Sequence, residues 1–149
     1  MGKKRSAHRT HQTQWAAQFA VASELCKRNY QVAFTMGNNP QVDLMVISPR
    51  GATFVVDVKG LYKPNYWIVS PKPNRKGLFY VLAFVPNNKL NQFFVLTQTE
   101  VNRKISSHNR HVKRERLKKG RSVENIGRFP GLPSVFVKKF IGRWDKLPK

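Results

Sequence analysis

FVVDVKG, residues 54 to 60, sets an acid and a lysine two residues apart in a run otherwise made of Phe, Val and one Gly. Side chains alternate across a strand, so Asp57 and Lys59 share one face and Val56 and Val58 the other. A second acid, Asp43, stands near the start of another hydrophobic run, VDLMVIS. An isolated charge in either place is costly to bury, so both acids call for compensation. Folding VDLMVIS onto ATFVVDV through SPRG puts position 43 opposite position 57 at the open end of the hairpin. Lys59 can neutralise one of these acids; a divalent metal satisfies both. Asp43, Asp57 and the backbone carbonyl of Val58 together offer the hard oxygen ligands that suit Mg²⁺, with Mn²⁺ as a substitute. A metal there lowers the pKa of a bound water, and Lys59 beside it can orient the hydroxide or stabilise a phosphate as charge develops. That is the chemistry of phosphodiester hydrolysis.

The charge of the chain points the same way. Lys and Arg total 28 against seven acids in 149 residues, a formal net charge of +21. Such an excess destabilises a compact state by self-repulsion unless a polyanion is near, and nucleic acid is the obvious one. No apolar run approaches the length of a membrane span, and no basic helix carries a broad apolar side, so membrane binding is not expected. The polar start MGKKRSAHRTHQTQ has no following apolar segment and does not read as a secretory signal. A single cysteine, Cys26, cannot form an internal disulfide and fits an intracellular setting, cytoplasmic or nucleoid-associated. His8, His11, His108 and His111, even with Cys26, lack the spacing of a zinc site.

The elements that must position these residues are legible in outline. Residues 1 to 13, with Lys3, Lys4 and Arg5, read as a basic flexible arm, and residues 14 to 149 as one domain. Residues 15 to 28, WAAQFAVASELCKR, have helical spacing with apolar residues on two sides, which predicts packing on both. Six β-rich runs follow, YQVAFT, VDLMVIS, ATFVVDV, YWIVS, LFYVLAFV and QFFVLT, separated by Gly-, Pro- and Asn-rich turns. Trp67 and Tyr66 read as core residues, and Lys72, Arg75 and Lys76 in PKPNRKG as a solvated loop. Thr97 and Glu100 have capping-box spacing and open a helix. Residues 108 to 121 form a basic block, helix or loop, whose Arg110, Lys113, Arg114, Arg116, Lys118, Lys119 and Arg121 are expected to face DNA. Phe136, Phe140 and Trp144, four apart, predict a C-terminal helix laying an aromatic stripe on the sheet. The expected fold is α/β: a central mixed β-sheet flanked by N- and C-terminal helices.

The order Glu24 in a first helix, then Asp43, then Asp57-Val58-Lys59 resembles the PD-(D/E)XK superfamily of restriction-endonuclease-like nucleases. Pro40 precedes Asp43 by three residues and is not adjacent to it. The resemblance covers residues 14 to 59 best; the later strands, TQTEV and GRWDKL are similar to small resolvase-like and intron-encoded members. It implies a restriction-endonuclease-like fold, often a homodimer, and a Mg²⁺-dependent deoxyribonuclease in which Glu24, Asp43, Asp57 and Lys59 are catalytic and Glu24 joins Asp43, Asp57 and the Val58 carbonyl around the metal. The alternative is a non-catalytic basic DNA- or RNA-binding module on a nuclease-like fold.

Overall fold

The computed structural model describes residues 4 to 40, 42 to 128 and 130 to 149, with the side chains of residues 4 to 8 left aside. All six β-rich runs form strands: β1 (Gln31–Phe34), β2 (Leu44–Ile47), β3 (Thr53–Leu61), β4 (Tyr66–Ile68), β5 (Leu78–Phe84) and β6 (Gln92–Thr97). Five of them make one mixed sheet in the order β1-β2-β3-β5-β6, with β3 and β5 parallel and the other neighbours antiparallel. β4 lies outside that sheet and pairs with β7 (Gly131–Pro133), a strand that no hydrophobic run in the sequence announces. The chain is a single α/β domain with two helices, α1 (Lys4–Cys26) and α2 (Gln98–Lys118).

Each helix covers one face of the sheet. Strand alternation sends Phe54, Val56 and Val58 of β3 into one core with Ala17, Val21 and Leu25 of α1. It sends Leu78, Tyr80 and Leu82 of β5 into a second core with Val101 and Ile105 of α2. β3 and α1 approach closely at Gly60, where a Cβ would lie 2.7 Å from the Cβ of Ala17 and 3.0 Å from the Thr13 carbonyl oxygen. No helix among the described residues is long and apolar enough to cross a membrane.

Three expectations change. α1 begins at Lys4 and takes in most of the stretch assigned to a basic arm. Its early turns are tied to the body: Gln14 bonds the backbone of β3, and the Arg9 guanidinium lies over the Tyr62 ring at 4.1 Å. α1 is packed mainly on one side: Trp15 and Phe19 stack on each other at 5.8 Å on its more exposed face, where Phe19 also meets Phe34 of β1 at 5.1 Å.

The C-terminal helix is absent as well. Its place is taken by β7 and three short 3₁₀ turns, Ser134–Phe136, Lys138–Phe140 and Trp144–Lys146. Gly142 has φ +63°, a conformation that ends helical backbone, and its N–H donates to the Phe93 carbonyl at 2.8 Å. Ile141 forms a bridge with Phe94, so the segment is caught on the edge strand β6. The aromatic stripe is therefore dispersed: Phe140 enters the α2-side core, Trp144 the α1-side core, and Phe136 packs against His108.

Candidate active site

The β2–β3 hairpin has the register that its sequence predicts. Leu44 pairs with Val56 and Ile47 with Thr53, which brings Asp43, just before β2, to the stretch of β3 that holds Asp57. The Asp43 N–H donates to the Val56 carbonyl at 3.0 Å and continues the ladder to that point. Parallel pairing with β5 puts Tyr80 beside Asp57 on the other flank.

Asp43 is held by two donors. Its Oδ2 accepts from the Val58 backbone N–H at 2.8 Å and its Oδ1 from Gln18 Nε2 at 2.9 Å. Burial nonetheless raises its pKa above the usual carboxylate value; the Val58 N–H works against this, and the nearby charge of Asp57 adds to it. Two carboxylates thus influence each other, Asp57 buried and Asp43 partly so.

Asp57 is 2% exposed and sits between two lysines. Lys59 Nζ is 2.6 Å from Oδ1 and Lys72 Nζ 3.4 Å from Oδ2. The Lys59 approach is close enough for an ion pair but lacks hydrogen-bond alignment, which leaves buried Oδ1 without a hydrogen bond. The ion pair holds all the same, because charge attraction is far less directional than a hydrogen bond. The Tyr80 hydroxyl, buried and facing the Asp57 charge, has its pKa pushed up to about 12 and stays protonated.

Lys72 arrives on the loop that looked solvated. Two side chains from the first turns of α2, four apart and so on one face, grip that loop. Gln98 accepts from the Arg75 N–H at 2.6 Å and donates to the Pro73 carbonyl at 2.7 Å, while Asn102 donates to the Lys72 carbonyl at 2.7 Å. The helix itself starts on the expected capping box between Thr97 and Glu100. No residue pattern announced Lys72; its position depends on a loop folded against a distant helix.

Glu24 is not part of this cluster. It pairs with Lys27 at 2.9 Å and Arg28 at 2.6 Å along its own helix, and those two cations hold its pKa below the usual value. Gln18 occupies the position that the sequence pattern assigned to Glu24. Six residues separate them, about 9 Å along the axis and roughly 120° around it, so only one can face Asp43. Gln14, one turn before Gln18, donates to the Val58 carbonyl at 2.7 Å and accepts from the Gly60 N–H at 3.2 Å. The legible signal for both was two polar residues four apart on the helix stripe that carries Ala17 and Val21.

Asp43, Asp57 and the Val58 carbonyl form a hard-oxygen donor set, and Mg²⁺ characteristically takes one or two carboxylates with water or phosphate completing its shell. Lys59 Nζ already stands 2.6 Å from Oδ1 of Asp57, so an ion there would share the carboxylate with that ammonium or displace it. The residues present fit the ion. They supply two carboxylates and no more: among the described residues no group of three or more His, Cys, Asp or Glu could hold a metal.

The basic block is helical to Lys118, and past Ile105 α2 has no fully buried residue. Arg110, Lys113, Arg114, Lys118, Lys119 and Arg121 are exposed, with Arg116 half-buried through its bond to the Ser122 carbonyl. Lys3 and the side chains of Lys4 and Arg5 fall outside the described residues. No protein-family model, curated protein or solved structure matches the chain.

Proposed function

We propose that the protein is a metal-dependent endonuclease that hydrolyses phosphodiester bonds in DNA, with Mg²⁺ as the ion, on a restriction-endonuclease-like variant of its mixed sheet. The observation that carries the reading is the convergence of Asp43 and Asp57 at one strand end, with Lys59 and Lys72 against the second carboxylate. A structural ion pair needs one acid and one cation; two acids and two cations converging around the buried Asp57 support a reading as a site for a metal and a phosphate.

Asp43, Asp57 and the Val58 carbonyl would hold the ion, which when bound supplies Lewis acidity and a water of lowered pKa. Lys59, its ammonium beside Asp57, is placed to orient the attacking water and to donate to a non-bridging phosphate oxygen. Lys72 offers a second cation for charge developing on phosphorus oxygens. Gln18 and the Val58 N–H fix the Asp43 carboxylate, and Gln14 fixes the strand that carries Asp57. The exposed cations of α2 extend a phosphate-binding surface away from the site.

A second reading, a non-catalytic DNA- or RNA-binding module, has one observation in its favour. Both oxygens of Asp57 already face lysines, and Glu24 supplies no third acid. The test is cleavage of duplex, single-stranded, branched and supercoiled DNA with Mg²⁺, with EDTA and with Asp57→Ala, alongside a Mg²⁺ titration of the melting temperature. Cutting that needs both metal and Asp57, with a Mg²⁺-dependent rise in Tm lost in Asp57→Ala, supports the nuclease. Tight binding without cutting or any Mg²⁺ effect supports the module.

A further inference from the structure

Beyond the carboxylate site, α2 borders a second recess. A pocket of about 340 Å³ lies between its last turns and the β4/β7 pair, within the range of ligand pockets, roughly 300–1,000 Å³. One part of its lining is aromatic. The His108 ring stands 4.9 Å from Phe136 at 75° and 5.8 Å from Tyr66, and Tyr66 is 49% exposed. The rest is cationic: Arg116, Lys119 and Arg121 line it, and its one acid, Glu115, is paired with Lys118 at 3.2 Å.

We propose that this pocket receives a single unstacked nucleotide of a nucleic-acid strand, its base against Tyr66 and Phe136 and its phosphates against Arg116, Lys119 and Arg121. A base that stacks on Tyr66 and Phe136 in this concave lining must leave its own stack or come from a single strand. Base–aromatic stacking beside basic side chains is how proteins hold single strands without reading their sequence.

His108 forms part of the pocket wall. Its Nδ1 is buried without a hydrogen-bond partner among the described residues. Burial and the neighbouring His111 hold its pKa below the usual histidine value, against the backbone of Gly131, so the ring is neutral at neutral pH.

The pocket is linked to the carboxylate site along one rigid element. Asn102 holds the backbone of Lys72, whose ammonium reaches Asp57, and His108 follows six residues later, about 9 Å along α2 and roughly 120° around it. The assignment rests on the nucleic-acid part of the proposed function and not on its catalytic part.

The test is fluorescence anisotropy of the full chain in EDTA with three labelled DNAs: a perfect duplex, the same duplex with one bulged nucleotide, and one with a single-stranded flap. The bulged and flapped DNAs should bind about ten-fold tighter than the duplex. Tyr66→Ala should remove that preference while leaving duplex affinity unchanged; Arg121→Ala, also at an exposed residue, should weaken the preferred substrates. Equal affinity for all three DNAs, or a preference that survives Tyr66→Ala, overturns the pocket assignment alone. No binding to any DNA at low salt overturns both it and the nucleic-acid reading. Preference without cutting in Mg²⁺ supports the pocket and removes only the nuclease.

Discussion

Gln18 of α1 donates to Asp43 at the head of β2 across 2.9 Å, and this bond ties the helix to the end of the hairpin where the two acids meet. With the Val58 N–H on its other oxygen, Asp43 is fixed before any ligand arrives. Such preorganisation lets a site act without reordering itself.

It also has a stability cost that depends on pH. Burial raises the Asp43 pKa above its ordinary 3.8, so the folded state keeps this proton to higher pH than the unfolded chain does. Folded protein then binds more protons than unfolded between those two values, and stability falls as pH rises through that window. Asp43→Asn removes the cost, with the Gln18 amide turned so that its oxygen accepts from the new amide nitrogen. In metal-free buffer the variant should melt above the wild type at neutral pH, with the gap closing as pH falls below the ordinary carboxylate value. Thermal melts over a pH series check this, and the same variant should not cut DNA.

Lys59 and Lys72 are not equivalent partners of Asp57. Lys59 shares its strand and strand face, whereas Lys72 is delivered by a loop held by Gln98 and Asn102. Lys59→Met and Lys72→Met should each cost about 1–3 kcal/mol of stability in urea, because a buried carboxylate loses a charged partner. Each should lower kcat by roughly 10²–10³-fold if its ammonium meets the developing phosphate charge. Asn102→Ala, which leaves both lysines in place, should reproduce only the Lys72 defect, in milder form.

Gly60 tests the seat of α1 on β3. A methyl group there would press on Ala17 and on the Thr13 carbonyl at 2.7 and 3.0 Å, and backbone cannot yield as a flexible side chain can. Gly60→Ala should destabilise the protein by about 1–3 kcal/mol and lower activity as well, since Gln14 and Gln18 move with the helix. A midpoint in urea unchanged from the wild type would show that α1 does not pack as described.

The exposed cations of α2 should act mainly through phosphate. Replacing Lys113 and Arg114 by Gln should weaken all DNAs alike and flatten the slope of log Kd against log salt by about 0.9 for each phosphate no longer neutralised. Anisotropy from low to moderate salt gives the slope directly.

Alternation and turn chemistry made much of this protein legible from its sequence. A hairpin closed at SPRG brings residue 43 to the stretch of β3 that holds residue 57 in any fold that keeps that turn, and β-branched runs between Gly, Pro and Asn clusters marked every strand but β7. Thr97 and Glu100 announced the start of α2, because a capping box is a local device. What lay beyond sequence reach was the meeting of segments far apart in the chain. Whether Gln18 or Glu24 faces Asp43 depends on how far α1 slides along β3, and Gly60 against Ala17 sets that distance. Lys72 came to Asp57 because α2 grips its loop, and the C-terminal aromatics separated because Gly142 and Ile141 bond the edge of β6. Hydrophobic spacing records that a residue will be buried; which partner buries it is decided by the packing of the whole chain.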